Sequence, residues 1–394
     1  MEIEAGELKQ KIDRGDNMYI LDVRTPQEYK AWKISYNKYK DPPLIPIDQL
    51  ISSIPMALKY VPKDKEIITV CSHGNRSMMA ARLLSQFGYD VKSMKGGMVQ
   101  WNNTYDIAMI SNNSNLPVTI WQVRRISKGC IAYVISSNID KNAVVIDPPC
   151  AIEESFLKVA KDNQLNITKV IDTHIHADHV SGASRLARVT GADICVSSLE
   201  EYEIGHNNEL TVYRIKDNDR ILISDGIYLH AIHVPGHTKG SMSLKLTMED
   251  GNSTSHYLFT GDTLFVDGIG RPDLRDKVEE FANDLYDSYH QRILAFPNDT
   301  TILPTHFNSD SIDLEHKKPI CDTLETIKKR VKLLSKSKEE FINSLVGALS
   351  PRPSNYKTII EINKNMTPCD QIEMGDLEAG PNSCALKHNY QIRD

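Results

Sequence analysis

Three of the chain's thirteen histidines fall within six positions: His174, His176 and His179, with Asp178 among them. A lone histidine is ordinarily a packed or surface side chain. Three with a carboxylate at this spacing point to a metal site. Lys169-Val-Ile-Asp before the cluster predicts a strand and Gly182-Ala-Ser-Arg-Leu-Ala-Arg-Val after it a helix, so the cluster occupies a turn at a strand end. Further ligand-type residues recur at predicted strand ends. His237 lies in His233-Val-Pro-Gly-His-Thr-Lys-Gly-Ser, Asp262 follows Tyr257-Leu-Phe-Thr-Gly, and His306 follows Thr301-Ile-Leu-Pro-Thr. Imidazole and carboxylate without thiolate suit zinc, iron or manganese, and donor softness does not choose between them.

A second reactive pattern is Cys71-Ser-His-Gly-Asn-Arg-Ser77, between the apolar strand Glu66-Ile-Ile-Thr-Val and a helical run from Ser77 that Gly88 ends. Loop N–H groups and a helix N-terminus together favour negative charge at one point. Cys71 is therefore read as a thiolate nucleophile with Arg76 as the anion stabiliser, and His73, Gly74 and Asn75 as the cradle. Such a loop serves either phosphoryl transfer to cysteine or sulfane-sulfur transfer that leaves a cysteine persulfide. The short spacing between Cys71 and Arg76 favours sulfur.

The elements that must position these groups are those of an α/β protein. The chain has 394 residues, enough for two or three domains, with 40% apolar and 25% charged residues. Lys plus Arg number 46 against 52 Asp plus Glu, a net charge of −6, which argues against a general nucleic-acid or anionic-membrane binder. No apolar run is long enough to span a bilayer, and the acidic start resembles neither a secretory signal nor a transit peptide. A cytoplasmic protein is expected, with a homo-oligomer open. Seven cysteines, odd in number and without a C-x-x-C, argue against a disulfide framework. Except for Cys71, each is read as a small buried hydrophobe.

Three blocks follow. Residues 1–105 alternate strands (Met18-Tyr-Ile-Leu-Asp-Val and Glu66–Val70) with helices, which implies a parallel sheet. Residues 106–117, polar and turn-rich around Ser111–Pro117, suit a linker. Residues 118–350 open with strands at Val118–Val123, Ile131–Ser136 and Ala143–Asp147, and later hold a helix with Leu324, Ile327, Val331 and Leu334 on its apolar face. Residues 351–394 form an extension with a strand-like Thr358-Ile-Ile-Glu-Ile.

The first block resembles the rhodanese family. The agreement lies in Leu21-Asp-Val-Arg24 with Glu28-Tyr29, the Cys71 loop, and Lys95-Gly-Gly-Met-Val-Gln-Trp101. It departs at Trp32–Lys40, where the family usually has a Gly-His-Ile-Pro-Gly-Ala turn. The ordered ligands of the long block resemble the metallo-β-lactamase superfamily, which implies an αβ/βα sandwich with a metal cleft at one edge of the sheets. Gly261-Asp-Thr-Leu-Phe-Val-Asp-Gly-Ile-Gly-Arg-Pro-Asp-Leu and Pro353-Ser-Asn-Tyr-Lys-Thr-Ile-Ile-Glu-Ile-Asn look like the persulfide dioxygenase branch. That resemblance implies one Fe(II) per chain on His174, His237 and Asp262, with His176, Asp178, His179 and His306 around it. Arg271 and Asp273 then lie at the substrate end. The implied partners are a small thiol persulfide, thiosulfate or sulfite, and O₂. The glyoxalase II branch implies instead a thioester hydrolase with two Zn(II), one on His174, His176 and His237, the other on Asp178, His179 and His306, with Asp262 bridging.

Overall fold

A computed structural model describes residues 1–110, 116–203, 210–249, 256–274, 277–307, 312, 314–347, 352, 355–372, 374 and 376–380. In the first domain the parallel strands Glu2–Ile3, Val91–Met94, Glu66–Val70 and Met18–Asp22 form one sheet in that spatial order. Helix Ala5–Arg14 buries Ala5, Leu8 and Ile12, one stripe at helical spacing. Helix Asn75–Gln86 buries the small Ser77, Ala80 and Ala81 with Leu84, which lets it lie close to its sheet. The carboxyl end of Glu66–Val70 thus delivers Cys71 directly to a helix N-terminus.

The unusual Trp32–Lys40 segment folds as the hairpin Ser35–Tyr36/Tyr39–Lys40. Its Tyr36 is buried edge-on to Trp101 at 6.5 Å, and the Trp32 indole donates to Ser127 Oγ at 3.0 Å. The departure from the rhodanese turn therefore serves contact with the second domain.

That domain is a sandwich. One sheet has seven strands, in the order Val212–Ile215, Asp193–Ser197, Asn166–Asp172, Asn142–Ile146, Ile131–Ser137, Val118–Arg125 and Tyr105–Met109. The other has six: Arg220–Ser224, Ile227–His233, Met242–Met248, Tyr257–Gly261, Thr301–Pro304 and Asp322–Thr323. Side-chain alternation explains the layers. Ile131, Tyr133 and Ile135 share a core with Leu244, Phe259 and Ile302 of the facing sheet. Their neighbours Ala132 and Val134 point the other way, onto Phe156, Val159 and Leu186 of the helices Glu153–Asn163 and Ala183–Thr190.

Four expectations need correction. Residues 106–109, assigned to the linker, lie in a strand that pairs with Val118–Arg125. Buried Asp106 holds that strand in place through Lys9 at 2.6 Å, His316 at 2.7 Å and Arg124. The linker's polar residues 111–115 lie outside the described residues. The run at Thr358 is helical, within Tyr356–Lys364, because burial of Ile359, Ile360 and Asn363 on one face overrides β-branched propensity. The Leu324 helix ends at Arg330 and continues as a 3₁₀ turn, Lys332–Ser335, with all four apolar positions buried as their spacing implied. Cys150 and Cys369 form a disulfide, Cα to Cα 6.0 Å. Cysteine count and spacing carry no information about two residues 219 positions apart. Among the described residues no helix is long and apolar enough to cross a membrane.

Candidate metal centre and cysteine loop

The strand ends foreseen as ligand positions converge. Asn166–Asp172 leads into the turn of His174, His176, Asp178 and His179, and Ile227–His233 leads to His237. Tyr257–Gly261 and Thr301–Pro304 deliver Asp262 and His306. All seven side chains are buried. Asp262 sits in a turn that closes on Gly270, where a Cβ would lie 1.8 Å from the Asp262 carbonyl oxygen, so only glycine fits.

In His174, His176, His179 and His237 one ring nitrogen is anchored and the other is open. His174 Nδ1 pairs at 2.9 Å with Thr173 Oγ1, which donates to Asp147 Oδ2 at 2.9 Å. His237 Nδ1 donates to the Arg271 carbonyl at 2.8 Å, and His176 Nε2 meets Asp147 Oδ1 at 3.1 Å. These bonds fix tautomers, as ligand-orienting partners do in metal sites. His174 Nε2, His176 Nδ1, His179 Nε2, His237 Nε2 and Asp262 Oδ2 have no hydrogen-bond partner among the described residues. A buried polar atom left unpaired costs about 1–3 kcal/mol, so five in one cluster mark a place built for a cation. Asp262 Oδ2 lies 3.7 Å from His174 Nε2 and 3.5 Å from His237 Nε2, so these three donors fit a metal ion.

Asp178 links two of the remaining rings. His306 bridges Asp178 Oδ2 at 2.9 Å and Asp262 Oδ1 at 2.5 Å, and His179 Nδ1 meets Asp178 Oδ1 at 3.1 Å. Burial holds His174, His176 and His237 below the ordinary histidine range, as neutral imidazoles with a lone pair to offer. His306 is also buried, yet its two carboxylates drive its pKa well upward. Asp178, with help from Cys130, lifts buried His179 to about 10.

In the other domain, Cys71 Sγ accepts the Gly74 N–H at 3.1 Å and lies 3.3 Å from Ser77 Oγ. The carbonyls of Cys71 and Ser72 are taken by the N–H groups of Met98 and Val99, at 2.8 and 3.1 Å. The Gly-Gly motif makes this possible: Gly97 has φ +58°, and a Cβ there would lie 2.2 Å from the Cys71 carbonyl oxygen. Arg76 forks onto Glu28 at 2.5 and 2.8 Å, and Ser72 Oγ joins Glu28 at 2.8 Å. Hydrogen bonds to Glu28 keep the guanidinium charged. Cys71 and Gly74 are thus brought together, while the Arg76 guanidinium is bonded to Glu28 and to Ser72 of the same loop. His73 and Asn75 are exposed, and His73 Nε2 reaches Asp376 at 2.8 Å.

Residues 4–104 match the rhodanese-like domain family, and residues 129–306 match the metallo-β-lactamase superfamily. The chain joins a rhodanese-like domain to a metallo-β-lactamase domain. It is 26% identical over 255 residues to the human mitochondrial persulfide dioxygenase ETHE1, covering 64% of this chain and 89% of that protein. It is 28% identical over 221 residues to a hydroxyacylglutathione hydrolase of Prochlorococcus marinus, covering 56% and 82%. The crystal structure of ETHE1 from Myxococcus xanthus superposes with a TM-score of 0.52 at 26% identity, covering 62% of this chain and 97% of that one.

Arg271 and Asp273 of the metallo-β-lactamase domain form a buried fork, at 2.6 and 2.8 Å, with Arg352 at 3.4 Å. Sequence reasoning missed several supports of this domain's site. Cys130 Sγ stands 3.4 Å from Asp178 Oδ2, and its own thiol, opposed by burial, is pulled down by His179 and His306. Asn363 Nδ2 donates to the carbonyls of His176 and His179, both at 2.9 Å. Glu378 accepts the Val180 N–H at 2.6 Å and pairs with Arg125 at 2.5 Å. Asp147 alone carried a usable signal, since it ends a predicted strand as the ligands do.

Proposed function

We propose that the metallo-β-lactamase domain oxidises a low-molecular-weight thiol persulfide, glutathione persulfide or an equivalent, with O₂ and water to sulfite and free thiol. The site is proposed to hold one iron per chain on His174, His237 and Asp262. The observation that carries this reading is the convergence of three buried, unpartnered donor atoms, while Asp178 and His306 are committed to each other. Two imidazoles and one carboxylate leave coordination positions open, and an iron so held supplies the means to bring persulfide and O₂ together.

The chain's own residues do the rest. Asp147 through Thr173, and the Arg271 carbonyl, hold the two imidazoles in the tautomer that presents Nε2. His306 and Thr305 Oγ1, the latter at 2.6 Å, hold Asp262 Oδ1 and leave Oδ2 as the donor. Arg271 and Asp273 bound the substrate end.

In the rhodanese-like domain Cys71 attacks the outer sulfur of thiosulfate. The S–S bond breaks, sulfite departs with the electron pair, and the transferred sulfur stays on Cys71 as a persulfide beside the Gly74 N–H. A small thiol takes it up and becomes the substrate of the other domain. Joining the two sites in one chain raises the local concentration of that intermediate.

A second reading is a glyoxalase II-like thioester hydrolase with two zinc ions. It is favoured by the complete Asp178, His179 and His306 set and by the hydroxyacylglutathione hydrolase relative, but it leaves Cys71 without a task. Metal analysis of protein purified without added metal separates them. One iron per chain with O₂ uptake on a persulfide is expected. Two zincs, thioester hydrolysis and no O₂ uptake would promote the second reading.

A further inference from the structure

A cleft of about 440 Å³ opens where the rhodanese-like domain, the metallo-β-lactamase domain and the C-terminal segment meet. The Cys150–Cys369 disulfide lines it, with Asn102, Glu153 and Arg185. Its charged lining groups are Glu153, Glu154, Glu378 and Arg185, three carboxylates against one guanidinium, and Arg185 Nε is already taken by Glu153 Oε1 at 2.5 Å. The cleft therefore favours a ligand that carries positive charge.

What the disulfide fastens is the support of the metal loop. Cys369 follows the helix whose Asn363 binds the His176 and His179 carbonyls, and precedes Glu378, which binds the Val180 N–H. On the other side, the Cys150 N–H donates to the Val180 carbonyl at 2.9 Å. Cys150, Val180 and Cys369 form one small apolar cluster with Met374 and Leu377 against it.

We propose that this cleft is a thiol–disulfide exchange site for small amine-bearing thiols, and that opening Cys150–Cys369 there releases the C-terminal segment from the metal loop. The thiol's sulfur bonds to one cysteine, and the old S–S bond breaks with its electron pair on the other, which takes up the proton. A second thiol then attacks the first thiol's sulfur, and the bond to the protein breaks with its electron pair on that cysteine, which takes up the proton. Two thiols are oxidised to their disulfide and the cysteine pair is reduced by two electrons; the small disulfide drives the reverse. The proposal is independent of the reaction assigned to the metal centre.

The test uses the full chain, purified in air and exposed to cysteamine or to mercaptoacetate. Alkylation in denaturant with peptide mass spectrometry then reads the cysteines. Cys150 and Cys369 should be protected before treatment and both alkylated after it. Compared per thiolate, cysteamine should react ~tenfold faster, because the three carboxylates around the cleft outnumber Arg185, favouring the ammonium and repelling the carboxylate. Equal rates would overturn the assigned ligand class. Hydrogen exchange over residues 174–181 and 356–372 should quicken on reduction. Cys369→Ser should show the quickened pattern without thiol and no further change with it, which separates opening of the bond from extraction of metal. Two free thiols in the untreated protein, unchanged exchange on reduction, or a full thiol response in Cys369→Ser would each overturn the proposal.

Discussion

The two candidate sites of this chain are made of different material. The cysteine loop is made largely of backbone: one sulfur, the Gly74 N–H that meets it, and a helix N-terminus, all within Cys71–Ser77. The metal centre is made of side chains gathered from four strand ends between His174 and His306, each ring held by a hydrogen-bond partner, some adjacent in sequence and some distant. A backbone site needs little beyond glycine in the right places and one nucleophile. A side-chain site needs a whole sandwich, and in return it excludes water and fixes tautomers. The comparison predicts that the first should fail only through its sulfur, and the second through any of several residues, some of them distant.

The largest effects test whether the two sites act separately. His237→Ala removes one donor of the convergent three. It should abolish iron retention and O₂ uptake on a supplied persulfide while leaving sulfur transfer from thiosulfate intact. If the variant keeps its iron and its rate, the ligand assignment is wrong. Cys71→Ser is the mirror experiment, replacing the sulfur nucleophile with a hydroxyl that stays un-ionised at neutral pH. It should stop sulfite release from thiosulfate and leave O₂ uptake on preformed persulfide within about threefold of wild type. Should both activities fall together, the domains form one obligatory relay; should neither fall, the rhodanese-like domain serves docking.

The same contrast explains what could be read from sequence. The cysteine loop lies in one stretch, so a strand, a nucleophile, a glycine and a helix appear in order on the page. The metal ligands were legible for a related reason: each ends a strand, and strand ends on one side of a sandwich meet. The supports were not legible. Asn363 reaches a loop more than 180 residues away, and Glu378 reaches Arg125 across 253. Nothing local in Asn-Lys-Asn or Leu-Glu-Ala announces such a partner. Cys130 looked like the small hydrophobe that a cysteine before a buried strand ordinarily is, and only the fold places its sulfur beside Asp178. The helix around Thr358 was misread because β-branched residues were judged on propensity, whereas Ile359 and Ile360 are decided by what they bury against.

A smaller effect probes the claim that tautomer control is distributed. Thr173→Val keeps the volume but deletes the hydroxyl between Asp147 and His174 Nδ1. Iron affinity should fall about 10- to 100-fold, the usual cost of losing such a partner. Competition with a calibrated chelator reads it. An unchanged affinity would mean that packing alone orients His174.

A last test sets the two domains against each other in pH. In the rhodanese-like domain, hydrogen bonds from Arg76 hold Glu28 below the ordinary carboxylate range. Its contribution to stability is present above the unfolded pKa and is lost as acid protonates the folded group. In the metallo-β-lactamase domain the sign reverses. Asp172 is fully buried, one oxygen accepting Ser181 Oγ at 2.7 Å and the other without a partner among the described residues. Burial, and then the nearby Asp147, raise its pKa to about 7. The folded carboxyl keeps a proton that the unfolded chain releases near pH ~3.9, so stability falls as pH climbs between those values. At about 1.4 kcal/mol per unit of separation, the loss amounts to roughly 4 kcal/mol by neutral pH. Asp172→Asn mimics the protonated form. In metal-free protein its unfolding midpoint should match wild type near pH 4 and rise above it progressively toward pH ~8. Parallel curves across that range would show that Asp172 is already ionised in the fold, and that the buried side-chain site carries no more electrostatic cost than the backbone one.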